Sequence, residues 1–271
     1  MKEEQSRGYI PLAFFLLISA ITALAYIAGP IRQVRPKPPP PLAGGVEQDN
    51  RFLGEADLER LYPEIVLRQR KGMEKVVALT FDDGPDNTYT PAVLDVLKSR
   101  QVRATFFLIG NRIEEYPETT KRIINEGHLI GNHTYAHPNT GKPMGAQLRT
   151  EIEKMEATLK PYNTAPSYLF RPPYGALTAP AALEVAEFGY RLALWSIDSL
   201  DWRGLSKEEV VNNIMHQLEP GRVILQHSAG GPGEDLSGSV LALSEVIDTL
   251  KEQGYSFMTM DEMFPASCKT K

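Results

Sequence analysis

Between Lys75 and Met260 the chain alternates two hydrophobic rhythms. Short runs rich in β-branched and aromatic residues (KVVALTF, ATFFLIG, HLIGNHT, YLFRPPY, RLALWSID, RVILQHS and YSFMTM) are separated by longer amphipathic stretches such as TPAVLDVLKSR and SVLALSEVIDTLKEQG. The first kind predicts strands and the second helices. Gly127, Gly189, Gly221 and Gly254 each stand directly before a predicted strand, where glycine suits the left-handed residue that ends a helix. Strand and helix alternating about seven times predict a parallel sheet. The roughly 190 residues available are short for a full eight-unit barrel. The expected fold is therefore α/β, an incomplete, distorted (β/α) barrel with about seven parallel strands, in preference to a doubly wound sheet.

The N-terminal pattern is different. From Gly8 to Ile31 no residue is charged, and YIPLAFFLLISAITALAYIA shows no polar stripe. About 20 apolar residues span a bilayer as a helix, so residues 1–31 are expected to form a transmembrane anchor. Ala23-Leu24-Ala25 also has the small-x-small form of a signal-peptidase site, so secretion after cleavage near Ala25 is the alternative. Basic residues flank both sides of the segment and orient it weakly. Residues 32–50 contain RPKPPPPLAGG, a stiff polyproline spacer that ends in flexible glycines. Residues 51–71 predict a short helical lead-in with little core of its own. Residues 72–265 hold the regular alternation, and 266–271 form a tail.

Composition adds exclusions. The chain has 271 residues, 42% hydrophobic and 23% charged, with a formal net charge of -5, which is ordinary for a globular protein. No long basic run is present, so nucleic acid is not an expected partner. One cysteine, Cys268, excludes an intramolecular disulfide.

The unusual polar residues all fall just after predicted strands: Asp82 and Asp83 after VVALTF, His133 and His137 after HLIGN, Arg171 and Tyr174 after YLF, Asp198, Asp201 and Trp202 after LALWSI, and His227 after RVILQ. That is the face on which α/β barrels build active sites. The i, i+4 spacing of HTYAH would set both imidazoles on one side of a helical turn, a metal-ligand spacing. With a strand-end aspartate they make a three-ligand, zinc-type site. One carboxylate of Asp82-Asp83 can then ligate a divalent ion while its neighbour serves as general base, the cation offsetting their repulsion. His227 suits general acid work, and a carboxylate behind it would orient the ring. Arg171 is placed to pin the base. His128 and His216 lack polar neighbours in sequence and read as structural.

The ordered set TFDDGP, HTYAH, RPPYG, DSLDW and LQH resembles the polysaccharide deacetylase family, metal-dependent carbohydrate esterases, over residues 72 to 265. The resemblance implies Asp82 as base, Asp83, His133 and His137 as metal ligands, and Arg171 orienting Asp82. It implies that the Tyr174 backbone N–H binds the oxyanion, that Asp201 tunes His227, and that Trp202 and Leu225 line the acetyl pocket. The implied enzyme is a polysaccharide N-deacetylase using one divalent ion, zinc by expectation. Its expected substrate is an N-acetylated cell-surface glycan, foremost peptidoglycan N-acetylglucosamine, with chitin oligomers as the alternative. Such a protein would be extracytoplasmic, tethered to the membrane by its N-terminal segment, and monomeric. A non-catalytic glycan-binding protein of the same fold is the reading from another class.

Overall fold

The computed structural model describes residues 52–265. The apolar segment, the spacer and the tail predicted above lie outside the described residues. Among those described, no helix is long and apolar enough to cross a membrane. The strands are β1 (Phe52–Leu53), β2 (Val66–Leu67), β3 (Val76–Asp82), β4 (Thr105–Leu108), β5 (Leu129–Asn132), β6 (Leu169–Phe170), β7 (Leu177–Thr178), β8 (Arg191–Ala193), β9 (Ile197–Asp198), β10 (Arg222–His227) and β11 (Ser256–Phe257).

Nine of these strands form one sheet, ordered β2-β8-β6-β5-β4-β3-β10-β9, with β11 also pairing β3. Every strand pairing in it is parallel. All seven predicted runs contribute. The count rises to nine because the lead-in supplies β2 and because RLALWSID divides. Its first half, β8, pairs with β6, and its second half, β9, pairs with β10. Between them the Ser196 N–H donates to the Val223 carbonyl at 3.0 Å. One chain segment thus supplies β8, next to the edge strand β2, and β9, the edge strand at the other end, which draws the two sides of the curled sheet together. The outcome is the expected incomplete, distorted barrel.

The two-residue period of a strand divides β3 between two environments. Val77, Leu79 and Phe81 pack outward with Leu94, Leu97, Val210, Ile214, Val246 and Leu250 from the surrounding helices. Val76 and Ala78 face inward with Phe107, Leu169, Ala193, Val223, Met260 and Met263. Each fully buried Leu, Phe or Val stabilises the fold by about 1.5–3 kcal/mol. Near the start of β3, Ser256 lies opposite Val76, and the helix Met260–Met263 that follows closes the interior from that side. The opposite, C-terminal end remains for polar chemistry.

The lead-in has no separate core. Its helix, Glu55–Leu61, forms as predicted, but Leu53, Leu58, Tyr62, Ile65 and Val66 are buried with Phe170, Leu177, Val185 and Leu192 of the main unit. β1 pairs antiparallel with β7, and β2 extends the sheet beside β8.

Of the four predicted glycine caps, Gly221 proves to be something else. The helix Lys207–Met215 ends well before it. Gly221 has φ of +82°, donates to the Val76 carbonyl, and accepts from the Arg70 N–H at 2.8 Å. A Cβ there would lie 1.9 Å from the Arg70 carbonyl oxygen. Gly221→Ala is therefore expected to cost about 3 kcal/mol, combining left-handed strain with a backbone clash. The check is a lower urea midpoint at unchanged slope.

Candidate active site

The parallel register brings the ends of distant strands to one level. His227 stands opposite Asp82, Asp82 opposite Phe107, Leu108 opposite Asn132, and Asn132 opposite Phe170. The residues that close or follow these strands are therefore neighbours: Asp82 and Asp83, His133, Arg171 and His227.

Asp82 is the last inward residue of β3 and is 4% exposed. Its Oδ1 accepts from the Arg171 guanidinium at 2.7 Å, and its Oδ2 lies 3.9 Å from Nε2 of His133. Asp83 follows with φ of +68°, so the backbone turns and presents the second carboxylate alongside the first. This answers how two adjacent aspartates serve one site, since in a continuing strand they would face opposite ways.

The two histidines are not on a helical turn, as the i, i+4 spacing suggested. Thr134 and His137 both have positive φ, 68° and 56°, and the segment is a tight loop after β5. Side chains hold it. Asn132 Oδ1 accepts from the Thr134 N–H, Thr134 Oγ1 accepts from the His137 N–H, and one Glu151 carboxylate oxygen accepts from the N–H groups of Tyr135 and Ala136. The result brings the rings to 5.0 Å between centroids.

Asp83 Oδ1 lies 3.3 Å from Nε2 of His133 and 3.3 Å from Nε2 of His137. His133 Nδ1–H donates to the Arg171 carbonyl at 2.7 Å, which fixes the tautomer and turns the Nε2 lone pair toward Asp83. Burial, followed by the neighbouring His133, pushes the His137 pKa down to about 4, so its ring is neutral at pH 7. Burial works against the charged form of Asp83, yet His133 and the other nearby histidines hold its carboxyl well below the usual range. Asp83 Oδ1 is buried and accepts no hydrogen bond. An anionic oxygen facing two imidazole Nε2 atoms is the donor arrangement of a cation site. Two nitrogens and one oxygen are a zinc-type donor set, and donors about 3.3 Å apart match tetrahedral coordination with bonds of about 2.0–2.1 Å. The three residues fit a divalent ion.

Arg171 is fully buried and fills the interior beneath this site. Besides Asp82, it donates to Thr80 Oγ1 at 2.9 Å and to the Ala193 carbonyl at 2.9 Å. Its guanidinium lies 4.0 Å from the Phe107 ring centroid and 5.5 Å from that of Trp195. A buried charge needs such satisfaction on every side.

Across β3, His227 Nδ1–H donates to Asp201 Oδ1 at 2.7 Å, and the His227 N–H donates to Asp201 Oδ2 at 2.8 Å. The Ser239 hydroxyl gives Oδ2 a further bond at 2.7 Å. Burial opposes the imidazolium, but Asp201, with Asp83 and Asp82 beyond it, outweighs burial and pushes the His227 pKa up to about 10. A group so poised holds its proton at neutral pH and can give it away. The sign for a variant follows. Were His227 the proton donor, activity would fall as pH rises through its pKa, and Asp201→Asn removes the anion that raises it. The basic limb of kcat/KM should therefore move to lower pH by more than about one unit, as a pH–rate profile would reveal.

Leu225 lies two residues before His227 on the same face of β10 and is 3% exposed. Tyr174 and Trp202 are 68% and 48% exposed, unusual for aromatics, and the Tyr174 ring sits 4.9 Å from that of His137. Asp198 does not reach His227; its Oδ1 caps the Leu200 N–H at 2.8 Å. His128 is structural as expected, its Nδ1 accepting from the Ala104 N–H and its ring against Phe106. His216 ends the helix Lys207–Met215. Sequence reasoning missed Thr80, Asn132, Glu151 and Ser239. Thr80 alone carried a signal, since it shares the inward face of β3 with Asp82.

Residues 69–193 match the family described as polysaccharide deacetylase. A peptidoglycan-N-acetylglucosamine deacetylase of Bacillus cereus is 46% identical over 196 residues, covering 72% of this chain and 70% of the relative. The peptidoglycan-N-acetylmuramic acid deacetylase PdaA of Bacillus subtilis is 34% identical, with coverage of 70% and 72%. A crystal structure of a peptidoglycan N-acetylglucosamine deacetylase bound to 4-naphthalen-1-yl-N-oxidanyl-benzamide superposes with a TM-score of 0.73 at 40% identity, covering 79% of this chain and 98% of that one. With the strand-end carboxylates and imidazoles assembled as they are, and with relatives this similar over most of their length, the chain belongs to the polysaccharide deacetylase family.

Proposed function

We propose that this protein removes the acetyl group from N-acetylglucosamine in peptidoglycan, with Zn2+ held by Asp83, His133 and His137. The observation that carries this reading is the triangle of Asp83 Oδ1 and two Nε2 atoms, with Asp82 beside it. A divalent ion held there supplies Lewis acidity toward an amide carbonyl and acidifies water. Asp82 is the base that takes the proton of the attacking water. Arg171 keeps its carboxylate ionised and aimed. The backbone N–H of Tyr174, in a turn with φ of 61°, donates to the oxygen on which charge develops. His227 protonates the departing nitrogen, leaving acetate and an amino sugar. Leu225 and Trp202 form the wall against the acetyl methyl.

Support for the glucosamine rather than the muramic acid substrate comes from the higher identity to the Bacillus cereus relative. Residues 72–265, with the packed lead-in, act as the catalytic unit. The glycan substrate lies outside the cytoplasm, and residues 8–31 suit a tether there, as a single-chain enzyme on the membrane. The purified protein should release acetate from N-acetylglucosamine oligomers and from peptidoglycan glycan strands, lose that activity on chelation, and regain it with Zn2+. Acetate quantified without any dependence on metal would defeat the proposal. Binding of glycan with no acetate released would leave the non-catalytic reading instead.

A further inference from the structure

The rim of the site carries a cation with no task in the chemistry above. Arg112 lies in the short helix Gly110–Glu115, which begins directly after β4. Three backbone bonds tie this start to the site: Ile109 N–H to the Gly84 carbonyl, Gly110 N–H to the Thr134 carbonyl, and Asn111 N–H to the Tyr135 carbonyl. One side chain extends the tie to the opposite wall. Arg112 donates from its terminal nitrogen to the Gly230 carbonyl at 2.8 Å, three residues beyond His227. Arg112 therefore bridges the loop of the metal histidines and the glycine-rich loop AGGPGED that follows the general acid.

Its partner is a neutral carbonyl. Most other arginines among the described residues face carboxylates: Arg60, Arg68, Arg100, Arg103, Arg122, Arg149, Arg171 and Arg222 all do so. Arg112 is half-buried and makes no ion pair among the described residues. The two acids in the facing loop are engaged elsewhere: Glu234 accepts from the Gly231 N–H at 2.9 Å and Asp235 from the Ser237 N–H at 2.9 Å. A guanidinium carries five donors in a planar fork shaped for a carboxylate. Half-buried, with one donor used on Gly230, it keeps donors open for an anion.

We propose that Arg112 is a specificity-determining residue that binds a carboxylate on the sugar next to the one being deacetylated. This rests on the peptidoglycan reading. In that polymer the neighbour of each N-acetylglucosamine is a muramic acid, whose lactyl carboxyl is a free carboxylate wherever no peptide is attached to it. Chitin oligomers have no such group. Arg112 would thus favour the carboxylated strand and serve as a positioning residue, distant from the reacting atoms.

The test compares two probes: neutral N-acetylglucosamine oligomers, and peptide-free glycan oligomers with free lactyl carboxylates. Arg112→Gln should raise KM for the carboxylated probe about tenfold at unchanged kcat and leave the neutral probe unaffected. Arg112→Lys should restore part of the loss, and added salt should erode the wild-type preference. If Arg112 served only to hold Gly230, both probes would suffer alike, and that result overturns the inference. Equal KM for both probes in the wild type also overturns it while leaving deacetylation intact. Binding of both probes is measured alongside turnover. A protein that releases no acetate, yet binds the carboxylated probe more tightly in an Arg112-dependent way, fails as a deacetylase and still upholds the inference.

Discussion

Asp82→Asn is expected to lower turnover by about 10²- to 10⁴-fold, the usual contribution of a positioned base, with no loss of bound metal. Asparagine keeps the shape and can still accept the Arg171 hydrogen bond, but cannot take a proton. With Asp83, His133 and His137 as the proposed metal donors, metal content measured by elemental analysis should match the wild type. A cost in stability is also expected. Arg171 is fully buried, and Asp82 is the only carboxylate it contacts in an ion pair among the described residues. Breaking a buried pair by removing one partner costs about 3–5 kcal/mol. The bonds to Thr80 and the Ala193 carbonyl remain, so the loss should fall toward the lower end of that range. Acetate release near the wild-type rate in a metal-loaded Asp82→Asn protein would remove Asp82 from its role.

His133→Ala is expected to weaken metal binding by more than about 100-fold, since even a group supporting a ligand is worth 10- to 100-fold. His137→Ala should be milder. His133 is 2% exposed and anchored by the Arg171 carbonyl, whereas His137 is partly open and rests against Tyr174. A partly exposed rim residue is more easily replaced by water as a donor. Titration with Zn2+ under a competing chelator would rank the two, and equal affinities for both variants would contradict the argument.

Much of the fold was legible because parallel strands are short, apolar and set off by turns. KVVALTF and RVILQHS became β3 and β10 almost residue for residue. The division of RLALWSID was hidden, because pairing partners are decided by the whole sheet and leave no local mark. The helix Gly110–Glu115 was missed for want of length and of an amphipathic period. At the site, placement at strand ends identified Asp82, Asp83, His133, His137, Arg171, Asp201 and His227, but not the supporting Thr80, Asn132 and Glu151. The spacing of HTYAH pointed to the right pair for the wrong reason, because Asn132, Thr134 and Glu151 impose a loop where periodicity suggested helix. Ser239 was beyond reach, since only the folded chain sets a helix residue against Asp201.

The pairing of β1 with β7 also has a mechanical side. Phe52 is the first described residue, and it is joined to Thr178, with Leu53 on Leu177. The turn bearing Tyr174 ends two residues before that short ribbon. A pull on the chain at Phe52 would load this two-rung clasp first. Strain would then reach the turn of Tyr174 before it reached the nine-stranded sheet.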